Sequence, residues 1–213
     1  MKIQTVLISG LILLLTLASY AQESQPKEIE DNKYGFTNKH FIGSQTFVLF
    51  TPFFDPSPEY YQLSYGYRLT STDELSIEEV TWAYQGPLGR PYGPDYEQES
   101  TSFPGDVKAF GGGLAYKRFL WKGVFAQLHS YAFRQLYRDE NKEVIQKGFQ
   151  LFNTLRFGYH FKLFKNKRWF ISPSVAATFW PVNTNLPESF QVEEDKYPNY
   201  FLFEPGLQIG YSF

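Results

Sequence analysis

Few side chains in this sequence have the chemistry to act on anything: Gln62, Arg68, Glu78, Glu79, Gln127, His129, Arg156, His160, Glu204 and Gln208. Hydrolytic chemistry needs a nucleophile beside a base. His129 and Ser130 are adjacent, so on a regular strand they point to opposite faces and cannot work together. Neither His40 nor His160 has a serine two residues away on its own strand, which leaves only a cross-strand pair. Three isolated histidines make no catalytic constellation, and the chain reads as a non-enzyme.

Other chemistries fare no better. Gly111-Gly112-Gly113 lacks the Lys-Ser/Thr and the following helix that a phosphate-cradling loop requires, and reads instead as curvature or close packing within a strand. The acidic stretches 85–106 and 182–199 lack the regular ligand spacing of a calcium site and read as solvated charge. No metal and no cofactor is expected. With 20 Lys and Arg against 22 Asp and Glu, the charge balance gives no reason to expect nucleic acid.

The polar groups gain meaning from what alternates with them. In 148–163, Phe149, Leu151, Leu155, Phe157, Tyr159, Phe161 and Leu163 share a face with Asn153, opposite Gln150, Phe152, Thr154, Arg156, Gly158, His160 and Lys162. Residues 168–180 set Trp169, Ile171, Pro173, Val175, Ala177 and Phe179 against Phe170, Ser172, Ser174, Ala176, Thr178 and Trp180. At the end of the chain, Phe201, Phe203, Pro205, Leu207, Ile209, Tyr211 and Phe213 oppose Leu202, Glu204, Gly206, Gln208, Gly210 and Ser212. Pro173 and Pro205 fall mid-strand and call for bulges that absorb their missing donors. So does 74–84, where Glu78 and Glu79 both turn inward only if a bulge separates Leu75 and Ile77 from Val80, Trp82 and Tyr84 on the outer face.

Eight such segments are predicted, near 39–51, 59–70, 74–84, 107–120, 123–137, 148–163, 168–180 and 199–213. Moderate or long connections (52–58, 85–106, 138–147, 181–198) alternate with short ones (71–73, 121–122, 164–167). The short turns are basic and the long loops acidic. Residues 1–21 carry one lysine, an apolar run and Ser19-Tyr20-Ala21, and predict a cleaved signal peptide. Residues 22–38 read as a polar tail, and 39–213 as one domain. The chain has no cysteine, hence neither a disulfide nor a lipid-attachment site. Its 22 Phe, 16 Tyr and 4 Trp fit a sheet with one apolar face.

These features resemble the small OmpX- and OmpA-like bacterial outer-membrane barrels, by strand count, loop phase and terminal strand. The resemblance implies an all-β fold: an eight-stranded antiparallel transmembrane up-and-down β-barrel with short periplasmic turns and longer extracellular loops. It implies an outer-membrane location with both termini in the periplasm. Lipid and lipopolysaccharide would surround the chain, and the barrel-assembly machinery would read Leu207, Ile209, Tyr211 and Phe213. A bore of eight strands is just wide enough for side chains to fill. Glu78, Glu79, His129, Arg156, Glu204 and Gln208 are therefore expected to form a paired polar network there, with Glu204 and one of the two adjacent carboxylates facing Arg156. The leading expectation is a non-enzymatic structural or surface-interaction protein with an unidentified external partner. A narrow ion or solute channel is the alternative, and a lipid-modifying enzyme comes third.

Overall fold

The computed structural model describes residues 38–45, 59–89 and 102–213. The expected signal peptide, all but the last residue of the 22–38 tail, the 52–58 connection and the middle of 85–106 lie outside these residues. The described chain is all-β apart from one short helix. Its strands are β1 (His40–Gln45), β2 (Glu59–Arg68), β3 (Asp73–Tyr84), β4 (Asp106–Trp121), β5 (Val124–Arg138), β6 (Val144–Tyr159), β7 (Phe161–Leu163), β8 (Trp169–Thr184) and β9 (Tyr200–Ser212), with helix α1 (Glu188–Glu194) before β9. All pair antiparallel in one sheet, each with the next in sequence, except that β6 and β7 both pair with β8. Two further ladders, β1 on β9 and β6 on β8, close a ring of eight. The short β7 resumes the line of β6 after His160 and pairs with β8.

Alternation along each strand sorts the side chains. Outside lie Ile42, Leu63, Tyr65, Ile77, Leu114, Leu128, Leu155, Phe157, Val175 and Phe179, all exposed. Inside and buried lie Gln62, Ser64, Arg68, Glu74, Glu78, Lys117, Gln127, His129, Gln150, Arg156 and His160. The sheet is therefore inverted relative to a water-soluble barrel, with charge within and hydrocarbon without. Aromatic rings gather on the outer rim at the short-turn end, where His40, Tyr67 and Phe213 pack together, as do Trp169 with Tyr211 and Tyr159 with Phe161.

Four sequence expectations need correction. No bulge separates Glu78 from Glu79: both ladders of β3 run unbroken past them, with Glu78 opposite Ser64 and Gly113 and Glu79 opposite Leu63 and Gly112. Glu79 consequently faces outward and exposed, whereas Val80, Trp82 and Tyr84 point inward. The expected bulge served only to keep both carboxylates off the apolar face; the sheet instead leaves Glu79 there and takes Val80, Trp82 and Tyr84 into an interior that is aromatic at the long-loop end. Second, β9 does shift register, opposite Ala176 and Ala177, with Phe203 in the left-handed region at φ 59°. Phe201 thereby leaves the outer face for the interior, and Leu202 and Tyr200 take its place outside. Pro205 sits beside that irregularity. Pro173 pairs with Leu207 in an unshifted register, but falls where β6 hands over to β7 and its missing donor meets a break in the ladder. Third, the 138–147 connection contracts to 139–143, because β5 and β6 pair out to Arg138 and Val144. Fourth, 181–198 is no open loop: β8 extends to Thr184 and α1 follows.

Glycine decides how close β4 lies to β5. A Cβ on Gly111 or Gly113 would stand 2.0 Å from the carbonyl oxygen of Ala132 or Ser130, a clash with backbone that cannot swing away. A Cβ on Gly112 would come no nearer than 3.0 Å to the Glu78 carbonyl. Gly113→Ala is expected to cost about 1–3 kcal/mol or more through overpacking, and Gly112→Ala much less. Urea midpoints followed by tryptophan fluorescence check the contrast, and equal losses would contradict it.

Candidate functional site

The interior divides into a charged half near the short turns and an aromatic half near the long loops. At the charged end, Arg68 Nε donates to Glu74 Oε1 at 2.7 Å, and its NH2 group to Ser212 Oγ at 3.1 Å. Lys117 Nζ lies 3.7 Å from Glu74 and 3.0 Å from Gln208 Oε1, and also rests over the Phe125 ring at 4.7 Å. These side chains come from β2, β3, β4 and β9, so the cluster spans the bore. All are nearly inaccessible, and a buried pair of this kind needs its remaining donors satisfied to persist.

Midway, Glu78 gathers five partners. Gln62 Nε2 donates to Oε2 at 3.1 Å, Ser64 and Ser76 donate to Oε1 at 3.1 and 3.2 Å, His129 Nδ1 lies 2.8 Å from Oε2, and the Tyr131 hydroxyl donates to the same oxygen. Across the bore, Arg156 donates to Glu204 at 2.6 Å and to Ser174 Oγ at 3.1 Å, and Thr178 donates to Glu204 at 2.7 Å. Gly206 makes room for that guanidinium, since a Cβ there would stand 2.0 Å from the NH1 nitrogen.

Of the six residues expected to form the network, five are inside. Glu204 takes Arg156, Glu78 takes His129, Gln208 takes Lys117, and Glu79 stands outside. Leu207, Ile209 and Tyr211 lie on the outer face of β9 and are half-buried, while Phe213 is exposed. Glu74 and Lys117 escaped the sequence reading. Both alternate with outward residues, and counting inward positions on β3 and β4 would have found them.

A cross-strand His–Ser contact does exist: His160 Nδ1 lies 3.0 Å from Ser172 Oγ. It is buried inside the bore between the Phe119 and Phe170 rings, away from the outer wall where a lipid substrate would lie. At Glu78 the carboxylate bonds Ser64 and His129 separately, whereas a triad needs the histidine between nucleophile and acid. Among the described residues no group of three His, Cys, Asp or Glu could hold a metal ion.

At the other end, Val80, Tyr131, Phe133 and Phe152 line an aromatic chamber with Trp82, Tyr84 and Trp180. Trp82 packs against Tyr84 and Phe152 at 4.8 and 5.5 Å, and Phe152 stacks on Trp180 at 5.9 Å. Helix α1 closes over this end: Phe190, fully buried, packs on Phe103 and Tyr137 at 4.8 and 5.2 Å. Asp106 ties Arg138 by two bonds of 2.6 and 2.7 Å and Lys142 by one of 2.6 Å. Glu194 accepts from Trp180 Nε1 at 3.2 Å. Burial raises the Glu194 carboxyl pKa, and Asp195 adds to the effect against the hydrogen bonds from Trp180 and Asn183.

Comparison with family models, with curated proteins and with solved structures finds no match for this chain. The site therefore rests on its own geometry: a closed eight-stranded antiparallel ring whose charges are paired across its interior.

Two predictions follow from these contacts. Glu78→Ala strands five polar partners and is expected to cost about 3–5 kcal/mol, with Glu78→Gln, which keeps the volume, costing less; urea unfolding of the two variants reads the difference. For Glu194 the folded pKa lies above the ordinary 4.5, so the folded state holds the proton more tightly. Its contribution is complete below 4.5 and is lost as pH rises through the folded value. Thermal unfolding from about pH 4 to about pH 7 should show wild type losing stability relative to Glu194→Gln.

Proposed function

We propose that this chain is a non-enzymatic outer-membrane β-barrel protein with a structural or surface-interaction role, its bore sealed by paired side chains near the short turns. One observation carries the reading: exposed hydrocarbon covers the outside of a closed sheet whose inside holds Arg68, Glu74, Glu78, Lys117, His129 and Arg156. In water that arrangement is costly twice over. In a bilayer it is what a closed strand ring requires, because lipid-facing and bore-facing residues alternate and no backbone edge is left unpaired.

Further support comes from the outer rim. Tyr67, Trp121, Tyr159, Phe161, Phe164, Trp169 and Phe213 are exposed near the short turns, and Tyr61, Phe179, Tyr200 and Phe203 near the long loops. Two aromatic girdles flanking an aliphatic band are the pattern of membrane barrels. Lys122, Lys165, Lys167 and Arg168 sit at the short turns, and Glu188, Glu193 and Asp195 on the long 185–199 connection. On this reading the short turns are periplasmic and α1 is external. The apolar face of Leu207, Ile209, Tyr211 and Phe213 is then what the assembly machinery would recognise.

Sealing favours a structural role over the channel alternative. A permeant ion would meet the Arg68–Glu74–Lys117 cluster, bonded along neighbouring strands and tied across the bore from Lys117 to Gln208 of β9. The mature chain refolded into planar bilayers is expected to be electrically silent, with insertion confirmed by a heat-dependent gel shift. The double substitution Arg68→Ala with Lys117→Ala is expected to open discrete conductances. Steady wild-type openings that change with Arg156→Ala would overturn the sealed-bore reading. A chain that stays in solution without detergent would overturn the membrane reading itself.

A further inference from the structure

A bore filled with side chains should hold no sizeable void, yet the aromatic half contains one. Its volume is about 330 Å³, bounded below by Gln62, His129, Arg156 and Glu204 and walled by Tyr60, Trp82, Tyr84, Phe133, Phe152, Trp180 and Phe201. That lies at the lower end of small-molecule sites, roughly 300–1,000 Å³. The space exists because β4 contributes no side chain to its lining; the buried inward residues flanking Gly111 and Gly113 are Ala109 and Ala115.

The polar atoms around this cavity are not matched to one another. Both carboxylates at its floor are spoken for, Glu78 by its five partners and Glu204 by Arg156 and Thr178. The groups left over at the cavity are three nitrogens and one oxygen, Gln45 Oε1. Arg156 Nε, Trp82 Nε1 and His129 Nε2 are buried atoms with no hydrogen-bond partner among the described residues. His129 and Arg156 are themselves 2% and 5% exposed, so water at the protein surface does not satisfy them. Arg156 Nε and Trp82 Nε1 are N–H donors only, and His129 Nε2 serves in either sense once Nδ1 faces Glu78. An unmatched buried donor costs on the order of 1–3 kcal/mol, so the floor favours any occupant that brings acceptors.

We propose that this cavity binds a small, flat, largely apolar molecule bearing a hydrogen-bond acceptor, such as a bicyclic aromatic acid, with its ring among Trp82, Phe152 and Trp180 and its acceptor toward Arg156 and His129. The wall is preformed, since these rings already pack on one another at 5.5 and 5.9 Å. The proposal rests on the barrel reading, which places the cavity on the external side of the seal; occupancy from outside is then compatible with a silent bore.

The test uses the mature chain in lipid nanodiscs and two water-soluble probes of equal size, 6-fluoro-2-naphthoate and 6-fluoro-2-naphthylmethylamine. Fluorine resonance broadening is read against empty nanodiscs. The acid is expected to bind at least about tenfold more tightly than the amine, which brings donors only. Trp82→Phe keeps a ring and removes one donor, and should weaken the acid about two- to tenfold. Val80→Trp fills the chamber and should abolish binding, and the heat-dependent gel shift confirms that each variant is folded. Broadening by neither probe, equal affinity for both, or binding unchanged in a folded Trp82→Phe or Val80→Trp would overturn the site while leaving the barrel reading intact. A chain that does not insert would overturn both.

Discussion

Closure of the sheet is the constraint on which everything else depends. When β1 pairs with β9 from Phe41 opposite Ser212 to Gln45 opposite Gln208, every strand of the ring gains a partner on both sides. Each residue must then choose between inside and outside, because a pleated strand has no third direction. The choice is strict enough that a single irregularity reassigns side chains, as Phe203 does when its left-handed backbone sends Phe201 inward and Leu202 outward. Closure also fixes the radius, so the charged residues of β2, β3 and β4 and the polar Gln208 and Ser212 of β9 are forced within bonding distance. Arg68 and Glu74 are partners in part because Arg68 and Glu74 occupy one register position on adjacent strands.

The interior solves two problems in series. Near the short turns, long charged side chains cross the bore, and each ion is held by several groups; a lone buried ion there would be far costlier than any packing gain. Near the long loops the side chains are aromatic, too bulky to interdigitate around the glycines of β4, and a void survives. The two halves meet at Glu78 and Arg156, whose partners come from β2, β3 and β5 on one side and β8 and β9 on the other. A floor built on the five-bonded Glu78 and the doubly bonded Arg156 and Glu204 gives way little, so the chamber above it keeps its shape although no described residue fills it.

Much of the fold was legible because alternation is a local signal. The faces of β6 and β8 follow directly from period two, and Arg156 with Glu204 was reachable once both were placed inward. What was not legible required knowing the neighbours. Glu79 was turned inward on the ground that a carboxylate does not belong on an apolar face, but register is set by two unbroken ladders, and one exposed carboxylate is cheaper than a bulge that breaks them. Trp82 and Tyr84 turn outward in the sequence reading only as a consequence of the bulge that brings both carboxylates inside. Helix α1 carries too few residues for a periodic signal, and its Pro187 offers no side-chain cap; it forms because Phe190 finds Phe103 and Tyr137, residues distant in sequence.

Glu79 shows most directly how the ring ranks its forces. Its neighbours across the two ladders are Leu63 and Gly112, an apolar side chain and none at all, so no partner is built for it there. In the proposed setting a carboxylate on the lipid face costs less than the roughly 2–4 kcal/mol of a buried cation, and less again near the interface. Moving Glu79 inward would require a slip of one residue, and a slip turns over every later side chain of β3. Val80, Trp82 and Tyr84 would leave the chamber and Thr81 and Ala83 would enter it, which loses several aromatic contacts to save one charge. The sheet keeps its register and tolerates the carboxylate, because hydrogen bonding and aromatic packing along twelve residues of strand outweigh the local preference of one.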